Sequence, residues 1–291
     1  MSTKLPLISR REALRTSALA ALGLPILGTA FGRADDRTGS PAPAHGLKLG
    51  IASYSFYTLS VEQVIPIVRD LEIPTISLHN AHAHWATGTV ASCREVVKKF
   101  ADAGIEVTST GVIDLPNDEA VVRKAFENIG GAGLSKMAAN PAPEALPLVE
   151  KWVKETNIKV GVHNHGPGAI YPTVANAMKV IQPYDPRIGL CIDVGHSWQA
   201  GENPAAAIRS YPERLYEVHL WDTLAANDGT VAQAVPVSMG HGILNIKAVV
   251  AALLDIKFPF ESELEYLERT KDKVLGVAES IGYLRGMLSE V

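Results

Sequence analysis

The stretch Lys159-Val160-Gly161-Val162-His163-Asn164-His165-Gly166-Pro167 is a short apolar run that ends in two histidines and is stopped by Gly and Pro. Five residues of that kind fit a buried strand, and the Gly-Pro pair closes the turn after it. The same pattern recurs outward in both directions. Strands are predicted at 47–53, 75–79, 106–112, 134–139, 159–163, 188–193, 215–220 and 260–265. Amphipathic helical stretches begin near Val61, Ser92, Asp118, Pro143, Thr173, Pro204, Ile246 and Lys273, several of them at a Ser, Asp or Thr suited to capping. Strand then helix, eight times over with no run of consecutive strands, predicts an α/β chain folded as one (β/α)8 TIM barrel rather than a doubly wound sheet.

The composition agrees. Of 291 residues, 47% are hydrophobic and 20% charged, which excludes a disordered or collagen-like chain. Two cysteines, Cys93 and Cys191, provide neither a disulfide framework nor a Cys-based zinc ribbon. Near the start, Ser9-Arg10-Arg11-Glu12-Ala13-Leu14-Arg15 precedes an apolar run that ends in small residues. This resembles a twin-arginine export signal over residues 1–34, followed by a Gly/Pro/Ser-rich linker at 35–45 and the barrel domain at 46–291. The apolar run is too short for a stable membrane span, which takes about 20 apolar residues. The expected location is the periplasm or cell envelope. Residues 1–34 carry five Lys/Arg and one Glu, so without them the formal net charge moves from -4 to -8. An acidic surface disfavours nucleic acid and anionic membrane as partners.

No GxGxxG follows the first predicted strand, and neither a phosphate-binding GxxxxGK[ST] loop nor a GxSxG nucleophile elbow occurs. What the predicted strand ends do carry is histidine and carboxylate, and in a barrel the C-terminal strand ends ring the mouth where chemistry is built. His163, Asp193, His219 and Glu265 close the fifth to eighth strands. Neutral imidazoles and carboxylates converging from four strands suit one divalent ion of the Mn, Co, Zn or Fe type. His165 and His196 lie beside them. His79, His82 and Trp85 follow the second strand, Asp222 the seventh, and His241 the loop after it; these five are candidates to contact a small-molecule substrate. Lys136, on the fourth strand, is a candidate acid if it faces the mouth.

Several pieces together resemble the xylose isomerase-like barrels, the sugar phosphate isomerases and epimerases with their apurinic/apyrimidinic endonuclease relatives. They are Val162-His163-Asn164-His165-Gly166-Pro167, Cys191-Ile192-Asp193-Val194-Gly195-His196, Val218-His219-Leu220-Trp221-Asp222 and Leu264-Glu265-Tyr266. The His-Asn-His-Gly-Pro and Asp-Val-Gly-His pieces resemble a bacterial subgroup associated with 3-keto-glycoside breakdown. The resemblance implies that Asp193, His219 and Glu265 bind metal, with His196 close to metal or substrate. Family epimerases shuttle a proton between two glutamates on the fifth and eighth strands, and here the fifth-strand position is His163. One missing glutamate favours elimination through an enediolate, with Glu265 or His165 as base and His196 or Lys136 as acid. The expected activity is therefore metal-dependent cleavage of a 3-keto-glycoside, a small carbohydrate substrate. Sugar (phosphate) isomerisation or epimerisation is the alternative, and abasic-DNA cleavage and noncatalytic sugar binding are more distant ones.

Overall fold

A computed structural model describes residues 46–225, 234–267 and 272–290. The signal segment at 1–34 and the linker at 35–45 lie outside the described residues. The strands are β1 (Lys48–Ala52), β2 (Thr75–Leu78), β3 (Glu106–Thr110), β4 (Ile113–Leu115), β5 (Lys136–Pro141), β6 (Lys159–His163), β7 (Ile188–Asp193), β8 (Leu215–Leu220), β9 (Asp222–Leu224), β10 (Val235–Val237) and β11 (Glu261–Leu264). The helices are α1 (Val61–Asp70), α2 (Val90–Asp102), α3 (Glu119–Gly131), α4 (Leu146–Thr156), α5 (Val174–Ile181), α6 (Val194–Gln199), α7 (Pro204–Ser210), α8 (Ile246–Asp255) and α9 (Lys273–Ser289).

Nine strands form one parallel sheet in the order β3-β2-β1-β11-β8-β7-β6-β5-β4. The first strand pairs with the last, Ile51 opposite Leu264, so the sheet curls into a barrel. Its seam falls in the third predicted strand, which is not continuous. β3 pairs with β2, the chain turns at Gly111, and β4 pairs with β5, Ile113 opposite Ala139. Gly111 is needed there because a side chain would run into the His79 backbone. One segment thus serves both neighbours, leaving a barrel that is closed except at that bend.

Every residue of β2, β7, β8 and β11 is buried; burial on both faces explains the near-continuous apolar run of β7, whereas β8 and β11 also bury Glu217, His219, Glu261 and Glu263. Helices enter through caps that satisfy their first N–H groups, for example Thr173 Oγ1 to the Asn176 N–H and Asp118 Oδ1 to the Ala120 N–H. Three strands and four helix starts fall where the periodicity places them. Beyond the expectation lie the short helix α6 directly after β7 and the antiparallel pair β9 and β10, which rises past the end of β8. Among the described residues, no helix is long and apolar enough to cross a membrane.

Candidate active site

At the C-terminal ends of the strands lies a cavity of about 950 Å3 lined by His79, His163, His165, His196, His219 and Glu265, among others. The backbone delivers these groups by simple rules. His163 ends β6, Asp193 ends β7, and His219 sits directly opposite Asp193 in the β7–β8 register. Asp193 is also the N-cap of α6, so its Oδ1 accepts the His196 N–H at 2.7 Å. The same oxygen accepts Trp221 Nε1–H at 2.6 Å. Both donors hold the carboxylate with Oδ2 turned inward, and that buried oxygen has no hydrogen-bond partner.

Around Asp193 Oδ2 the other donors gather. His163 Nε2 is 3.6 Å from it and 3.2 Å from His219 Nδ1, and His219 Nδ1 is 3.7 Å from Glu265 Oε2. Metal–donor bonds of roughly 2.0–2.2 Å in a tetrahedral site put donors about 3.3–3.6 Å apart, so these spacings fit a divalent ion. Ligand atoms of Asp193, His219 and Glu265 all lie within 4.8 Å of one another, a possible metal site. Behind it, His219 Nε2 lies 3.1 Å from Glu217 Oε1. A carboxylate there takes the Nε2–H and leaves the lone pair of Nδ1 for the site, the arrangement that orients metal-binding histidines.

Electrostatics sorts the donors. Burial pushes the His163 pKa down to about 3, leaving a neutral imidazole. Burial alone would raise the Asp193 carboxyl, but His196, His163 and His219 outweigh it and hold the group well below the usual carboxylate range. Glu265 is pushed up to about 7, first by burial and then by Asp193 and Glu217. Burial also lowers His165, helped by the nearby His196. Two further groupings are less suited to a cation. Cys191 near His163 and His219 is pushed up to about 12 by burial and stays a thiol. Glu217, grouped with His219 and Glu263, already has the Lys136 ammonium 3.6 Å away.

Of the expected site residues, His163, His219, Glu265, His165, His196 and His79 line the cavity, and Asp193 is wholly buried just behind it, 3.6 Å from His163 Nε2. Five stand elsewhere. Lys136 is the first residue of β5, so it lies at the floor of the barrel rather than the mouth, 3.2 Å from Glu261 and 3.6 Å from Glu217. Burial works against its charge, yet Glu217, Glu263 and Glu261 reverse that and raise its pKa. Trp85 is wholly buried and donates Nε1–H to Leu78 O, so it packs in the core instead of stacking on a sugar. Both ring nitrogens of His82 are engaged, with Ser53 Oγ and Leu59 O. The Asp222 carboxylate accepts the N–H groups of Thr223, Gly240, Gly242 and Leu244 and so shapes the following loop. His241 is half exposed and pairs with Glu279 at 3.0 Å.

Sequence reasoning missed four contributors. Glu217 was legible as the residue two before His219 on the same strand, hence on the same inward face. Gln199, whose Oε1 lies 2.6 Å from His196 Nδ1, follows one helical turn after it. Tyr54 and Tyr57 line the cavity from the turn after β1, a placement that needs the barrel closed.

A family model described as "Xylose isomerase-like TIM barrel" matches residues 141–287. A curated inosose dehydratase from Clostridium tetani is 35% identical over 80 residues, 27% of this chain and only 26% of that protein's length. The IOLI protein with a binding zinc atom superposes with a TM-score of 0.70 at 13% identity, over 84% of this chain and 99% of that one. A 3-keto-D-glucoside 4-epimerase from E. coli does so with a TM-score of 0.65 at 15% identity, over 82% of this chain and 99% of that one. At such identities the structural likeness establishes the fold.

Proposed function

The chain belongs to the xylose isomerase-like TIM barrel family, and from that premise we propose that it is a divalent-metal-dependent enzyme that cleaves 3-keto-glycosides by β-elimination. The observation that carries this is the convergence of His163 Nε2, His219 Nδ1, Glu265 and the unpartnered Asp193 Oδ2 at the base of a cavity lined by three further imidazoles. A divalent ion held by these four would polarise the substrate ketone and acidify the neighbouring C–H.

The chain's own groups divide the proton work. His196 Nδ1–H is committed to Gln199 Oε1, so Nε2 keeps its lone pair and can take the C2 proton. His163, with Nε2 turned to the site, presents Nδ1–H to His165 Nδ1 at 3.2 Å. His165 then carries its proton on Nε2 and donates it towards the leaving oxygen. This pattern differs from the roles expected from sequence, where the base was Glu265 or His165 and the acid His196 or Lys136. The bond changes balance: the C2–H electrons form the C1=C2 double bond, the C1–O bond breaks, and the departing oxygen leaves as the protonated aglycone. Inosose dehydratase, by its name, eliminates water from a keto-polyol, the same class of bond change, which supports the reading.

The test is release of aglycone from a synthetic 3-keto-glucoside by the metal-loaded protein. Release abolished by chelation supports the proposal, and no release over several aglycones contradicts it. If epimerisation at the carbon beside the ketone is the true reaction, solvent deuterium enters an uncleaved stereoisomer.

A further inference from the structure

The cavity has two unlike sides. The imidazoles and carboxylate around Asp193 come from the ends of β6, β7, β8 and β11, with His79 and Asp114 further round the rim, whereas the loops above β8, β11 and β1, which are neighbours in the sheet, contribute Leu224, Val235, Pro236, Leu267, Tyr54 and Tyr57, and at their edge Lys273, whose ammonium lies 4.2 Å from the Tyr57 ring centroid. Leu224 and Val235 face each other in the β9–β10 register and remain 41% and 51% exposed. Tyr54 and Tyr57 are stacked at 5.2 Å with planes 21° apart, and Tyr57 is itself 38% exposed. Apolar side chains half open to water inside a cavity, rather than scattered over the surface, indicate a surface that a ligand covers. The volume agrees: about 950 Å3 lies near the upper end of the roughly 300–1,000 Å3 that accommodates drug-sized molecules, well beyond one sugar ring.

We propose that this apolar arc is the aglycone subsite and that it selects a flat aromatic aglycone, making the substrate an aryl keto-glycoside rather than a keto-disaccharide. A second sugar would need carboxylate, carboxamide or guanidinium partners for its hydroxyls. Leu224, Val235, Pro236 and Leu267 supply none, and the Lys273 ammonium at the edge of the arc is already engaged over the Tyr57 ring, while the exposed aliphatic pair beside the tyrosine stack suits an aromatic ring. The assignment deepens the keto-glycoside reading and rests on it for the identity of the sugar.

Binding of unreactive ligands separates the two ideas. Affinities of phenyl β-glucoside, methyl β-glucoside and cellobiose are measured by calorimetry on the full-length protein and on the double variant Leu224→Thr/Val235→Thr. Threonine keeps strand propensity at both positions, and a thermal melt verifies folding. The phenyl glucoside is expected to bind about tenfold more tightly than the methyl glucoside, with the ratio falling towards one in the double variant. Equal binding of phenyl and methyl glucosides, tighter binding of cellobiose, or a ratio untouched in the folded variant would each overturn the subsite. A preserved phenyl preference without aglycone release from phenyl 3-keto-glucoside would instead sink the elimination reading and leave the subsite standing.

Discussion

His163 Nε2 and His219 Nδ1 face each other at 3.2 Å in a fully buried wall, and the second nitrogen of each ring is already committed, to His165 and to Glu217. Two imidazoles arranged in this way need either a shared proton or a cation between them. Burial alone would lower the His219 pKa, yet the Glu217 carboxylate beside Nε2 and the nearby Glu265 favour the charged ring and raise it, so without a cation the bridge is a proton.

Binding of a divalent ion should therefore release protons. Glu265 adds to this, because its carboxyl is pushed from the usual 4.5 to about 7. A raised folded pKa contributes stability that is full below the unfolded value and is lost as pH rises through the folded one. From this group, the metal-free protein loses stability between about pH 4.5 and 7, and added metal should raise the melting temperature more at pH 8 than at pH 6. Calorimetric titration with metal in buffers of different ionisation enthalpy should show proton release at pH 6 that shrinks by pH 8.

Gly195→Ala probes the support behind Asp193. A Cβ at Gly195 would enter the Trp221 ring, whose Nε1–H holds Asp193 Oδ1. Overpacking costs about 1–3 kcal/mol and displaces the tryptophan, so both the melting temperature and metal affinity should fall. Metal affinity that matches wild type in the folded variant would show that Trp221 does not set the carboxylate's orientation.

Lys136→Met distinguishes a floor ion pair from a catalytic acid. Leaving Glu217 without its ammonium, and Glu261 with Lys48 alone at 3.7 Å, should cost about 3–5 kcal/mol of stability. Turnover per folded, metal-loaded molecule should fall by less than about tenfold, whereas loss of a true general acid removes about 100- to 10,000-fold.

His165→Asn should be sensitive to the leaving group. If His165 Nε2–H protonates the departing oxygen, alkyl 3-keto-glucosides lose about 100-fold or more in kcat. The 4-nitrophenyl glycoside, whose aglycone leaves without help, should lose far less. Equal losses for both would remove His165 from that role.

The parts of the molecule that were legible in sequence share one property: a local pattern that the fold leaves unchanged. The ends of β6, β7 and β8 are bounded by a switch from apolar run to polar turn, and the register then sets Asp193 opposite His219. Lys136 was misread because its place depends on where β5 starts, and a strand drawn from residue 134 moves the lysine up a layer, away from the floor. Trp85 and His82 share a different difficulty. Their hydrogen bonds go to Leu78 O, Ser53 Oγ and Leu59 O, partners fixed by the loop's path over the barrel and unmarked by residue type. The bend at Gly111 and the β9–β10 wall are likewise products of closure, visible only once neighbouring strands are in place.

The most direct test is the divalent metal content per chain of protein purified without a histidine tag, measured beside the Asp193→Ala variant. The site of His163, Asp193, His219 and Glu265 predicts about one ion per wild-type chain and its loss in a variant that still melts cooperatively. Absence of any stoichiometric ion after supply of Mn, Co, Zn and Fe, or full retention in Asp193→Ala, would contradict a metal-dependent site at this position.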